Sequence, residues 1–236
     1  SDASLLAAVY TPSAADITAG TVTLTITTND PDGAGPCTAV SDAMLLTINP
    51  IATVSADADA TVCSGSTYTL AGARGGSAAS STWTSSGTGT FSDASLLAAV
   101  YSPSAADITA GTVTLTITTN DPDGAGPCAA VSDAMVLTIN PAATVSAAAD
   151  ATICAGAAYT LTGTRGGGAA SSTWTSSGTG TFDNAALLAA VYTPSAADIT
   201  AGTVTLTITT DNPAGPCPAV SDAMVLTINP VATVSA

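Results

Sequence analysis

The chain has 236 residues and a formal net charge of −15, with 17 acidic residues, all Asp, against two cations, Arg74 and Arg165. So little Lys and Arg cannot neutralise phosphates, which excludes a nucleic-acid partner and an anionic membrane surface. His, Lys, Glu and Gln are absent, so no Ser–His or Cys–His nucleophile–base pair can form and the chain reads as no enzyme; paired Asp residues, the remaining route to glycoside hydrolysis, fall mainly in turns.

The predicted elements recur along the chain. Residues 1–50 and 92–141 differ at three positions only (Thr11 against Ser102, Thr38 against Ala129, Leu45 against Val136), and Tyr10, Tyr101 and Tyr192 mark the same point at a period of 91 residues. Fixed-period self-similarity is the signature of a repeat architecture. The expected division is residues 1–50 as the C-terminal part of a truncated repeat, 51–141 and 142–230 as complete repeats, and 231–236 as the first strand of the next. The chain is thus expected to be a window on a longer tandem array. No apolar run reaches the ~20 residues of a membrane span, which argues against membrane insertion.

Taken in order, alternating Thr and aliphatic residues predict a strand over Thr21–Thr27, repeated at Thr112–Thr118 and Thr203–Thr209. Within residues 51–141, further strands are expected at Thr53–Ala56, Thr61–Cys63, Tyr68–Gly72, Ser81–Ser85, Thr90–Phe91, Ala98–Tyr101 and Met135–Ile139. The turn signals between them are Arg74-Gly75-Gly76, Gly87-Thr88-Gly89 and Asn120-Asp121-Pro122-Asp123-Gly124. A single helical turn is expected at Pro103–Ile108. About seven short strands per repeat predict an all-β protein of tandem immunoglobulin-like β-sandwiches. Their core is expected from Val54, Tyr68, Leu70, Trp83, Phe91, Leu97, Tyr101, Val113, Leu115, Ile117, Met135, Leu137 and Ile139. Between repeats, Leu137-Thr138-Ile139-Asn140-Pro141 runs straight into Thr144-Val145-Ser146 with no Gly/Ser tract. Pro50, Pro141 and Pro230 stiffen these joints.

Five cysteines occupy two recurring positions: Cys63 and Cys154 early in a repeat, and Cys37, Cys128 and Cys217 late in one. Pairing within repeats predicts Cys63–Cys128 and Cys154–Cys217 and leaves Cys37 with a partner upstream of residue 1. Closing such a loop contributes about 4 kcal/mol on the chain-entropy account. Disulfides imply an oxidising, extracellular or cell-surface location, and two thiols per repeat without His do not complete a zinc site.

Three further groups have two readings each. Asn29, Asp30 and Asp32, repeated as Asn120, Asp121 and Asp123, offer hard oxygen ligands to Ca2+, or simply supply a tight turn. The third copy, Asp211-Asn212-Pro213-Ala214-Gly215, is two residues shorter and one Asp poorer. Arg74 and Arg165 either clamp an Asp across repeats or make a local salt bridge worth under ~1 kcal/mol. The outward threonines either face a neighbouring chain, sugar or ordered water, or serve as good strand formers. Sheet edges without Lys lack the usual guard against pairing, which points to self-association into a filament or array.

The strings Ala151-Thr152-Ile153-Cys154-Ala155-Gly156, Tyr159-Thr160-Leu161, Ser172-Thr173-Trp174-Thr175, Val191–Ile199, and Gly215-Pro216-Cys217 through Val220–Met224 resemble PKD-like, immunoglobulin-like tandem repeats of giant secreted cell-surface proteins of Bacteroidota, of adhesin or gliding type. The resemblance implies a β-sandwich array outside the cell and carries over no catalytic residue. Together these readings point to a structural extracellular protein, the repeat segment of a surface stalk, adhesin or filament. The alternative is a calcium-, glycan- or partner-binding surface module.

Overall fold

Alternation of Thr with Val, Leu and Ile builds the longest strands, because each apolar side chain then faces the core while each Thr faces water. The computed structural model describes residues 4, 6–124, 126–213 and 215–232. The first stretch holds α1 (Ala14–Ala19), β1 (Thr21–Thr27) and β2 (Ser41–Thr47). The second holds β3 (Thr53–Ser55), β4 (Ala60–Cys63), β5 (Tyr68–Thr69), β6 (Ala73–Gly75), β7 (Ser81–Ser85), β8 (Thr90–Phe91), β9 (Val100–Ser102), α2 (Ala105–Ala110), β10 (Thr112–Thr119) and β11 (Ser132–Asn140). The third repeats that order as β12 (Ala143–Ser146), β13 (Ala151–Cys154), β14 (Tyr159–Thr160), β15 (Thr164–Gly167), β16 (Ser172–Ser176), β17 (Thr181–Phe182), β18 (Val191–Thr193), α3 (Ala196–Ala201), β19 (Thr203–Thr210) and β20 (Ser221–Asn229). Strand makes up 42% and helix 8% of the described residues, so the chain is nearly all β. Residues 233–236, within the strand expected at 231–236, lie outside the described residues.

Each full set of strands forms a sandwich. One sheet runs β4-β11-β10-β7; the other side is β5-β9-β8 together with the pair β3-β6. Every residue expected in the core lies in one cluster that draws on both sides, from Leu115, Ile117, Trp83 and Leu137 to Tyr101 and Leu70. A second, separate cluster around Trp174, Tyr192, Leu206 and Leu226 serves the third stretch. The chain is therefore a tandem β-sandwich array with one core per sandwich.

Three expectations are corrected in detail. Arg74-Gly75 is not a turn: it lies in β6 and pairs with β3, Val54 opposite Arg74 and Thr53 opposite Gly75. The last strand begins at Ser132, before Met135, because its ladder to β10 continues through Thr118 opposite Ser132 even where the apolar alternation has stopped. The helical turn sits at Ala105–Ala110, displaced from Pro103 by its cap, Ser104.

The first strand of each sandwich decides which end its cysteine occupies. After β3 the chain takes a left-handed conformation at Asp57 (φ 70) and crosses to the opposite sheet, where β4 runs parallel to β11 with Ala60 opposite Leu137 and Cys63 opposite Asn140. Asp59 Oδ1 accepts from Val136 N at 2.8 Å, and Asp133 Oδ2 accepts from Ala56 N at 2.9 Å. The segment from Ala56 to Cys63 thus follows β11 along its length. It ends where β11 ends, at the tail of the sandwich, from which the chain passes on.

Candidate functional site

The junction between successive sandwiches is the most distinctive site. Cys63 lies at the tail of one sandwich, beside Asn140. Cys217 lies in the loop between β19 and β20, which are hairpin partners; that loop is at the head of the next sandwich. The two form a disulfide with Cα atoms 5.3 Å apart, joining residues 154 positions apart in sequence. Both are buried. Around the bond, Cys217 Sγ approaches Asn140 O at 3.7 Å, Ser64 N donates to Asn140 O at 2.8 Å, and Ser64 Oγ accepts from Ala142 N at 2.8 Å. A Cβ on Gly215 would collide with the Asn140 amide, and one on Gly168 with Pro141 O. Glycine at those positions lets the head of one sandwich close onto the tail of the other.

This overturns the pairing within repeats. Neither Cys63–Cys128 nor Cys154–Cys217 forms; Cys37, Cys128 and Cys154 are free. The reason is geometric. Cys63 stands at the last residue of β11, Asn140, whereas Cys128 precedes its first residue, Ser132. A strand of that length covers about 27 Å, far beyond the ~7 Å over which two Cα atoms can be bridged. Cys37 and Cys128 sit alike, each amide donating at 3.1 Å to a loop carboxylate, Asp32 and Asp123 respectively. Burial, and then Asp123 and Asp121, push the Cys128 thiol up, which keeps it protonated.

Five of the six residues expected to bind Ca2+ (Asp30, Asp32, Asn120, Asp121 and Asp123) accept hydrogen bonds from backbone amides. Asp30 Oδ1 accepts from Asp32 N, and Asp121 Oδ1 accepts from Asp123 N and Gly124 N at 3.3 and 3.0 Å. Asn120 Oδ1 accepts from Ala79 N and Ser80 N, tying this loop to the start of β7; Asn29 is its equivalent in the first stretch. Asp123 Oδ1 is buried without a donor, but a single oxygen is not a coordination sphere. Among the described residues no three acidic, Cys or His groups gather in reach of one ion. Arg74 and Arg165 donate to serine hydroxyls, Ser81 at 3.2 Å and Ser172 at 3.3 Å, in place of the expected Asp. Some outward hydroxyls pair across strands, as Thr118 with Ser132 at 2.8 Å.

A second site escaped the sequence reading. Ser104 caps α2 and Asp107 returns the bond, a capping box. Asp107 is also buried and accepts from Tyr101 OH at 2.8 Å, Thr88 N at 3.0 Å, Gly89 N at 2.9 Å and Ser104 N at 2.9 Å. A Cβ on Gly87 would strike this carboxylate and one on Gly89 the Tyr101 hydroxyl, which is why the loop reads Gly-Thr-Gly. Asp198 repeats the arrangement with Tyr192, Thr179, Gly180 and Ser195. Burial alone raises its pKa, but the hydrogen bonds from Ser195, Tyr192 and Thr179 outweigh that and lower it to about 2; Asp107 is lowered for the same reasons. The Ser-x-x-Asp spacing after Tyr-x-Pro was the available signal. This hub ties loop, helix and core together.

A groove of about 510 Å³ beside β1 and β2 is lined by Leu6, Val9, Tyr10, Leu24, Ile26 and Met44. The equivalents of Leu6, Tyr10, Leu24, Ile26 and Met44 in the full sandwich (Leu97, Tyr101, Leu115, Ile117 and Met135) belong to its hydrophobic core. The groove is thus the open face of a half-sandwich, with Thr25, Thr27 and Asp42 also on its lining. Among the described residues no helix is long and apolar enough to cross a membrane.

No protein-family model and no curated protein matches the chain; the PKD-like resemblance and a Bacteroidota origin stand on the sequence strings alone. Solved structures similar to it include human CDH23 EC21-23 (TM-score 0.46, 13% identity, 88% of this chain and 74% of that one). Mouse clustered PcdhgC3 EC1-3 is another (0.41, 12%, 90% and 77%), as is Protocadherin Gamma B2 extracellular cadherin domains 3-6 (0.37, 12%, 90% and 60%). The chain spans 60% and 40% of the lengths of the Gamma B2 and GammaB4 structures. A likeness at this level carries no inference about function.

Proposed function

We propose that the chain is a structural segment of an extracellular protein, the repeat portion of a surface stalk, adhesin or filament whose work is to span distance. One observation carries this reading: the tail of one sandwich is bonded covalently to the head of the next through Cys63 and Cys217. A joint closed by a disulfide, by the Ser64–Ala142 hydrogen bond and by glycine-permitted contact resists bending and separation. A catalytic or ligand-recognition role needs no such joint. The bond also requires an oxidising compartment to persist, which supports a location outside the cytoplasm. The sandwiches keep separate cores, as beads on a string do.

Small-angle X-ray scattering of the oxidised chain tests the reading. An elongated particle, with a maximum dimension near that of sandwiches laid end to end, is expected. A compact particle in which the sandwiches fold back on one another would overturn it.

A further inference from the structure

The Cys63–Cys217 bridge has two halves, and the chain carries another copy of each. Cys154 repeats Cys63: it ends β13 opposite Asn229 in the parallel register with β20, and Ala155 N donates to Asn229 O at 2.8 Å, as Ser64 N does to Asn140 O. Cys128 repeats Cys217: its Sγ lies 4.0 Å from Asn49 O, where Cys217 Sγ lies 3.7 Å from Asn140 O. Both thiols are free, and Cys154 is exposed. Neither is a lone cysteine on a surface. The residues equivalent to them, one repeat away, are bonded to each other, and the backbone around each half has the same hydrogen bonds or close approach as in the completed bridge.

We propose that Cys154 and Cys128 are the two halves of this same junction bond and that their partner is another copy of the repeat. A following copy brings its late cysteine to Cys154, and a preceding copy brings its early cysteine to Cys128. Every joint of an array is then bolted in the same way, and successive disulfide loops overlap. The inference deepens the stalk reading and rests on copies following one another tail to head. In each bond two thiols lose two protons and two electrons. The acceptor is a low-molecular-weight disulfide such as oxidised glutathione, which becomes two thiols. The Cys154 thiolate displaces one glutathione to give a mixed disulfide, and the incoming cysteine thiolate attacks its Cys154 sulfur and displaces the other.

The test adds one further copy of residues 142–230 after residue 230 of the full chain, folds it in a glutathione redox buffer, and maps disulfides by mass spectrometry without reduction. Cys63–Cys217 and a new bond from Cys154 to the late cysteine of the added copy are expected. The number of free thiols should stay at the three of the original chain. In a Cys154→Ser variant the late cysteine of the added copy should become free while Cys63–Cys217 persists. A free Cys154 in the extended chain, a Cys154–Cys217 bond, or an added late cysteine still bonded in Cys154→Ser would overturn the inference. Scattering from the same sample separates this from the stalk reading: an elongated particle with Cys154 free removes the bond alone, whereas a compact particle removes the stalk.

Discussion

Residues 4–50 and 95–141 are nearly the same sequence folded in two settings. Hairpin and cap are the same in both: β1 pairs with β2 in the register that β10 keeps with β11, and the Ser13 and Ser104 caps share φ of −79° with ψ of 167° and 169°. Their burial differs completely. Met44 is 57% exposed and Met135 1%; Ile26 is 58% exposed and Ile117 0%. Local structure is therefore encoded within the stretch, through alternation, caps and the hairpin. The core is supplied by β3–β8, which the full sandwich has and residues 4–50 lack among the described elements. Asp16 shows the same split: it keeps Tyr10 OH and Ser13 N as donors but is only half-buried, where Asp107 is 3% exposed.

The strongest way to break the comparison is at the junction, where, among the described residues, a disulfide joins only the two full sandwiches. Replacing Cys63 and Cys217 by Ala should destabilise the joined pair by about 5 kcal/mol on the chain-entropy account of a 154-residue loop, seen as a lowered denaturation midpoint. The β1–β2 hairpin, outside the loop, should keep its hydrogen-exchange rates.

Paired core substitutions come next. Met135→Ala should cost about 2–5 kcal/mol, and Met44→Ala, at the same place in the repeat, under about 0.5 kcal/mol. Equal losses in urea titrations followed by hydrogen exchange of the β1–β2 and β10–β11 hairpins would show that the half-sandwich has a core of its own.

The buried carboxylates give a smaller effect with a distinct signature. Asp107→Asn should cost about 2 kcal/mol, the value of charge-assisted bonds lost inside a protein, while Asp16→Asn should leave thermal melting unchanged. Asp198 has a folded pKa of about 2 against an ordinary 3.8, so the folded form binds protons less readily than the unfolded one. Its stabilising contribution is complete above about pH 4 and is lost as pH falls toward 2. Acid titration of Asp198→Asn should therefore show a flatter slope in that window than the parent chain. At the small end, Arg74→Ala should cost about 1 kcal/mol or less in a thermal melt, since it removes one hydrogen bond to Ser81.

Much of the fold was legible because it is written in period-2 patterns. Ser81–Ser85, Thr90–Phe91 and the Thr-Val-Thr-Leu strands fall within a residue of their expected bounds, and the expected core residues lie in the observed cluster. What was not legible depends on partners far away in sequence. Arg74-Gly75 carries turn chemistry, yet β3 recruits it as an edge strand. The cysteine spacing tells which residues recur but not which end of a sandwich they occupy. That follows only once β4 is known to run parallel to β11 while Cys128 sits beyond the far end of β11. The Asp107 hub was within reach of the sequence, since Ser-x-x-Asp is a capping pattern, but its burial depends on Gly87 and Gly89 folding over it.

The span from Cys63 to Cys217 also changes what proteolytic damage means for such a chain. Arg74 and Arg165, where trypsin-like enzymes would cut, both fall inside it. A nick at either one leaves the two fragments tethered through sulfur, so tension still passes from one side of the break to the other. The chain tolerates a severed peptide bond there much as a spliced rope tolerates a cut strand.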